Sequence, residues 1–343
     1  RCPLSLPGNW GRDTTPRSGT LQLRSAARAH PCGRVGMPIR DGMRGKILSM
    51  KTPTPQQERA ARLLQILELE PIEQDLYRGS NEVRGDFRLF GGQVLAQSLR
   101  AAYRTVEDRQ AHALHAYFIR AGDASLPVLY EVDRIRDGRS FTTRRVVAIQ
   151  QGEAIFSMSA SFQVEEAGFE HADSMPNVPL PEELEDDVLV VQRLKEPDPG
   201  LSPLAGRVRP FEMRSVFPLG SSAWRRNRFW NPVWVRFCQP VSADDSGLDR
   251  CLLAYASDMG LVSTAALPHA ESVSRSDLQM ASLDHALWIH RAVPTDDWLL
   301  FHRRTSMAEG ALGLVHAEVF ARDGTLVASV SQEGLLRFRD AAG

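Results

Sequence analysis

Residues 137–164, DGRSFTTRRVVAIQQGEAIFSMSASFQV, and residues 309–336, EGALGLVHAEVFARDGTLVASVSQEGLL, read as one antiparallel unit written twice. The glycines keep a constant offset of 172 residues, Gly138 with Gly310 and Gly152 with Gly324. Each second glycine sits in a turn, Gln151-Gly152-Glu153 and Asp323-Gly324-Thr325, where positive φ favours glycine and a hairpin follows. After the first turn Phe156, Met158, Ala160 and Phe162 alternate with Ser157, Ser159, Ser161 and Gln163, the pattern of a strand with one buried face. After the second, the same row runs Leu326, Ala328, Val330 and then Gln332, where the first copy has Ala160. A carboxamide in an apolar row costs free energy unless bonded, so the pattern predicts a fixed polar partner for Gln332. A frayed strand end or a bond to backbone alone would also accommodate it.

Working outward, the duplicated unit extends over Leu114–Gln163 and Leu283–Glu333 and implies strands at 112–120, 128–137, 140–150 and 154–164, then at 283–291, 298–307, 313–321 and 326–337. Before the first set, residues 90–106 carry Leu95, Leu99, Ala102 and Val106 on one helical face, opened by Gly91 and Gly92. Those glycines permit close backbone approach and could turn free N–H groups toward a carbonyl or phosphate, although paired glycines also make simple tight turns. A short helix at 56–69 precedes this, and a strand is expected at 75–79. Before the second set, strands are expected at 211–217 and 233–237, followed by Cys251–Ala270, CLLAYASDMGLVSTAALPHA, whose one formal charge is Asp258. Burial raises a carboxyl pKa toward the range of a general base. Capping of a helix over 259–267 by Ser257 or Asp258 is the plainer account, and the two are compatible.

This layout predicts an α+β architecture: residues 1–55 as a disordered or spurious extension, 56–167 as a first domain, 168–209 as a linker, and 210–343 as a second domain. The stretch 168–210 holds seven prolines and the acidic cluster Glu182, Glu183, Glu185, Asp186 and Asp187, with a helix expected near 184–195. Residues 1–50 carry a net charge of +7 against −8 for the remainder, and their prolines and glycines spoil the amphipathic helix of a transit peptide. We read them as an extension ahead of a start near Met43 or Met50.

With 43% hydrophobic and 24% charged residues the chain has a globular composition. No run is judged to reach the ~20 apolar residues of a bilayer span. The acidic bulk, without a basic stripe interleaved with aromatics, excludes a nucleic-acid partner. Cys2, Cys32, Cys238 and Cys251 have neither disulfide-framework nor zinc spacing, which points to a reducing, cytoplasmic compartment. There is no G-x-S-x-G elbow, H-E-x-x-H pair, P-loop or G-x-G-x-x-G, so serine-hydrolase, zincin and nucleotide signatures are missing. His285, His290 and His302 alternate with aromatics and are expected to be packing or surface residues.

The ordered segments FGGQVLAQ, HAYFIRAGD, DGRSFTTRRVVAIQQG, SASFQ, YASDMGLVSTAALPH, ASLDHALWIHR and VASVSQEG together resemble the acyl-CoA thioesterase II family over residues 56–338. The resemblance implies a double hotdog fold: two antiparallel sheets, each wrapped around a long helix. It implies hydrolysis of acyl-CoA to fatty acid and CoA with no metal or cofactor, by an aspartate, a hydroxyl residue and a glutamine around one water. By motif these are Asp258 in YASDMG, Ser282 in MASLDH and Gln332 in SVSQEG. The family often has threonine where this chain has Ser282, which keeps the hydroxyl and loses a methyl that fixes the rotamer. Gly91 and Gly92 are the candidate oxyanion donors. A hotdog enoyl-CoA hydratase and a catalytically inactive acyl-CoA binder are the alternatives, and a homo-oligomer is expected.

Overall fold

The computed structural model describes residues 52–339 apart from 83–87, 197, 199–200, 202–204, 227–228, 243–244 and 246. The expectations for residues 1–50, including Cys2 and Cys32, fall outside the described residues. The first half runs α1 (Pro55–Leu67), β1 (Glu70–Glu73), β2 (Leu76–Gly79), α2 (Gly91–Tyr103), β3 (Gln110–Phe118), β4 (Val128–Asp137), β5 (Phe141–Gln150) and β6 (Glu153–Gln163). Thr54 and Gln57 close a reciprocal capping box at the head of α1, with Pro55 at its first position. A connecting segment carries α3 (Asp187–Gln192). The second half runs β7 (Phe211–Ser215), α4 (Ser222–Arg226), β8 (Trp230–Phe237), α5 (Leu248–Ser257), α6 (Leu261–Ala266), β9 (Leu278–Ser282), β10 (Asp284–Ile289), β11 (Leu299–Glu309), β12 (Leu312–Ala321) and β13 (Leu326–Phe338).

The strand order is β1-β2-β4-β5-β6-β3-β10-β13-β12-β11-β8-β7, with β9 pairing the end of β13. The order from the centre outward is the same on both sides, so the sequence repeat is a structural repeat. The two expected sheets are joined edge to edge where β3 pairs antiparallel with β10, giving one 13-stranded sheet. Joining hides two edges that would otherwise offer unpaired backbone groups to another chain. The tight turns behave as their glycines require: Gln151-Gly152 has φ of 51° and 81°, Gly310-Ala311 60° and 64°, and Gly324 92°.

Helix α2 is buried from Gly92 to Tyr103, wrapped by its own sheet on one side and packed on α5 on the other, where Phe90 and Tyr255 meet edge to face at 5.0 Å. One apolar core runs through both halves. The stretch Leu248–His269 is long and apolar enough by composition to cross a bilayer, which corrects the reading that no run approaches that length. Its residues are apolar because most of them are enclosed by the sheet and α2, and it is broken at Gly260.

The proline-rich segment is packed against protein rather than free. Pro179 O accepts from Trp234 Nε1 at 2.9 Å, and Met175, Val178 and Leu184 cover a second apolar cluster of Val216, Trp234, Trp298, Leu300 and Phe320. The segment thus covers part of the outer face of the second half's sheet.

Candidate active site

Asp258 stands at the break between α5 and α6. It follows the last residue of α5, and Gly260, at φ 72°, is the N-cap of α6. The expectation that Ser257 or Asp258 caps a helix beginning at 259 is therefore corrected: α5 starts upstream at Leu248, Asp258 is its C-terminal cap residue, and its side chain serves tertiary partners. Gln332 Nε2 donates to Asp258 Oδ1 at 2.8 Å, and Ser282 Oγ donates to the same oxygen at 3.2 Å. The backbone N–H of Gly92 donates to the carboxylate as well. Burial nonetheless dominates and pushes the Asp258 carboxyl up to about 6, against the lowering effect of Gln332, Gly92 and Ser282.

The glycine pair brings the two halves together here. A Cβ on Gly91 would lie 2.9 Å from Asp258 Oδ2 and 2.8 Å from the Phe118 ring, and one on Gly92 would lie 2.6 Å from Tyr255 O. Only glycine lets the head of α2 close on the end of α5. The favourable end of the α2 dipole then faces the carboxylate. Gly92, a candidate oxyanion donor, turns its N–H toward the Asp258 carboxylate. Gly91 lines the cavity in front of the carboxylate.

Ser282 ends β9, a strand that the sequence pattern did not reveal, opposite Gly334 of β13. Gln332 lies inside β13, opposite Val315 of β12, and is fully buried. It is neither at a frayed end nor bonded to backbone alone. Its Oε1 has no partner among the described residues. Asp258 and Ser282 line a cavity of about 810 Å³ that runs from Gly91 along the start of α6 to Val233 and Arg303; Gln332 stands behind Asp258 and does not line it.

Two further groups lie near the site: His285, a packing residue as expected, and Arg303, which the sequence reading did not single out. His285 is buried with Nε2 2.9 Å from Ser257 Oγ, and burial pushes its pKa down to about 3, so it is neutral. Arg303 lies on the inward row of β11 with Leu299, Phe301 and Thr305, and is 2% exposed. The sequence signal was of the same kind as that for Gln332, a polar residue at an inward strand position. His290 bonds Ser329, and His302 stacks on Trp230 at 4.5 Å, as expected of packing residues.

Residues 82–163 match the sequence pattern of the acyl-CoA thioesterase N-terminal domain, and residues 225–335 match that of acyl-CoA thioesterase. The chain is 40% identical to acyl-coenzyme A thioesterase 8 of Mus musculus over 291 residues, covering 82% of this chain and 90% of that protein. The chain belongs to the acyl-CoA thioesterase family. It is also 36% identical to acyl-CoA thioesterase 2 of Haemophilus influenzae, across 81% of this chain and 98% of that one. The crystal structure of an acyl-CoA thioesterase II from Mycobacterium marinum superposes with a TM-score of 0.67 at 40% identity, covering 82% of this chain and all of that one. This thioesterase is thus a thioester hydrolase on a double hotdog scaffold. Its glycine pair falls in the first matched segment, and Asp258, Ser282 and Gln332 fall in the second.

Proposed function

We propose that this thioesterase hydrolyses acyl-CoA with Asp258 as general base. A water oxygen attacks the thioester carbon and gives its proton to Asp258. The tetrahedral intermediate then collapses, the C–S bond breaks, and the proton passes to the departing sulfur, leaving fatty acid and CoA. The observation that carries the reading is the Asp258 carboxylate on the cavity wall, with Oδ1 held by Ser282 and Gln332. Ser282 gives its one hydrogen to Asp258, so its oxygen lone pairs remain to accept from the water. Gln332, behind the carboxylate, orients the base rather than the water. Gly91, at the head of α2 on the cavity wall, is the amide assigned to the developing oxyanion.

The CoA phosphates suit the exposed arginines of the cavity lining, Arg59, Arg88 and Arg207. A hydratase would need a histidine beside the aspartate, whereas the hydrogen-bond partners of Asp258 are Gln332, Gly92 and Ser282. An inactive acyl-CoA binder would bind substrate and release no thiol. The deciding experiment is the pH profile of thiol release from an acyl-CoA, with turnover expected to rise through an apparent pKa of about 6 and to vanish in Asp258→Asn. Near-wild-type turnover by that variant would end the assignment.

Self-association through the outer face of the β3–β10 seam is supported by exposed Tyr117 and Trp288, the latter stacked edge-on with His115 at 5.2 Å. Sedimentation of the Trp288→Ser variant tests it. A reducing, cytoplasmic setting is supported by Cys238 and Cys251, both free. Fractionation of the host cell decides that point.

A further inference from the structure

Two of the three site residues stand close in sequence to a buried polar pair that the hydrolytic step does not use. Ser257, the last residue of α5, is fully buried and precedes Asp258, and His285, 1% exposed on the inward row of β10, lies three residues after Ser282. Ser257 Oγ donates at 2.9 Å to Ala254 O, one of the last carbonyls of α5, and meets His285 Nε2 at 2.9 Å. A hydroxyl has one hydrogen to give, so the imidazole is the donor in the second bond. Nδ1 is then a bare lone pair, and it has no partner among the described residues. Burial pushes the ring's pKa down to about 3, with no charged group contributing, so His285 acts as a neutral donor and not as a charge.

Packing alone does not require a polar pair here. The inward row of β10 continues with Leu287 and Ile289, and an apolar side chain at position 285 would be buried without the cost of desolvating a ring nitrogen left unpaired. What the bond adds is a tie between the two segments of chain that carry Asp258 and Ser282. The strand side of that tie is itself pinned: Leu283 N donates to Glu333 O at 3.0 Å, and Glu333 N donates to Asp284 Oδ1 at 2.7 Å, next to Gln332. Ser282, His285 and Gln332 therefore belong to one hydrogen-bonded block of β9, β10 and β13, whereas Asp258 arrives from α5. Ser257 fastens that helix to the block one residue from the carboxylate. Neither Ser257 nor His285 lines the cavity, so the pair acts on the reaction through the placement of Asp258.

We propose that His285 is a positioning residue, which through Ser257 fixes the end of α5 and so holds the Asp258 carboxylate at its distances from Ser282 and Gln332. The role rests on the reading of Asp258 as the base. Its test measures kcat, KM and the pH profile of thiol release from an acyl-CoA in His285→Met, Ser257→Ala, the double variant and His285→Gln. A reacting group misplaced by about 1 Å can cost about 100-fold, so each of the first two variants is expected to lower kcat by about 10- to 100-fold with KM kept within about twofold. The pH–rate midpoint should rise above about 6, because a loosened Ser282 no longer lowers the Asp258 pKa in full. The double variant should be no slower than the slower single one, since both break the same bond. His285→Gln, whose amide nitrogen reaches where Nε2 stands, should recover part of kcat. Losses that multiply in the double variant, or a midpoint that stays put, overturn the role, as does a fall in thermal stability with kcat intact. Should His285→Met fail to fold, Ser257→Ala, which deletes one oxygen, decides by the same kcat and midpoint. Asp258→Asn tells the two failures apart: turnover retained there removes the base and the role with it, whereas an inactive Asp258→Asn beside fully active Ser257→Ala and His285→Met removes only the positioning role.

Discussion

The two halves share a strand order and differ in how they treat polar groups inside it. In the first half, Gln97 donates to Ile66 O and Ser80 O and accepts from Tyr130 and Gln93, and Arg144 has an acceptor for each of its nitrogens. In the second half, Gln332 Oε1, Arg303 Nε and Nη2, and His285 Nδ1 have no partner among the described residues. Saturated polar groups in a low-dielectric interior rigidify a core, and unsaturated ones store free energy that a ligand can release. One copy of the repeat has become a support, and the other carries the chemistry. The division is not complete: Ser98 Oγ and Arg100 Nε of α2 in the first half also have no partner among the described residues, and Gly92 of the first half turns its N–H toward the carboxylate of the second.

The sharpest way to break this contrast is Asp258→Asn, which keeps shape and removes the base. We expect kcat to fall about 10²- to 10⁴-fold in a thiol-release assay. The same residue should reveal its cost in stability. The Asp258 and Asp187 carboxyls are held near 6 in the folded protein, above the ~4 of the unfolded chain. The folded state binds more protons between those values, so stability falls as pH rises from about 4 to about 6, by about 3 kcal/mol for Asp258. Urea unfolding should find Asp258→Asn stabilised relative to wild type at pH 8 and not at pH 4.

Gln332→Ala copies the first half into the second. It removes a hydrogen bond to a charged group worth about 1.5–3 kcal/mol, and should cut kcat about 10- to 100-fold. It should also move the pH–rate midpoint above 6, because Gln332 lowers the Asp258 pKa; a midpoint that stays put would deny Gln332 its hold on the base. The reverse exchange, Ala160→Gln, puts a carboxamide where no carboxylate awaits it. A loss of about 1–3 kcal/mol in unfolding free energy with little change in turnover is the expected result. The smallest effect belongs to Ser282: Thr should stay within about threefold of wild type and Ala should lose about tenfold, a hydroxyl hydrogen bond's worth. Equal rates for the two would remove the hydroxyl from the mechanism.

Much of this was legible in the chain because it depends on local periodicity. The 172-residue offset placed both hairpins, and the strands at 128–137 and 312–321 fall where alternation put them, since a period of two is fixed by the backbone. Gln332 was visible for the same reason. Ser282 was not, because β9 is five residues long and pairs only with the end of β13, and so short a strand leaves no pattern of its own. The helix around Asp258 was misjudged at its start because a capping aspartate and a C-terminal one look alike in sequence.

The sequence by itself determined the duplication, the two layers of helix and sheet, and the oddity of one carboxylate and one carboxamide in apolar surroundings. Tertiary structure decided that these two meet, that a glycine pair 166 residues before Asp258 closes on it, and that β3 and β10 fuse the halves into one sheet. It also decided which buried arginine is satisfied. Periodicity is written along the chain, whereas hydrogen-bond partners and shared walls arise only when distant segments are brought within about 3 Å of each other.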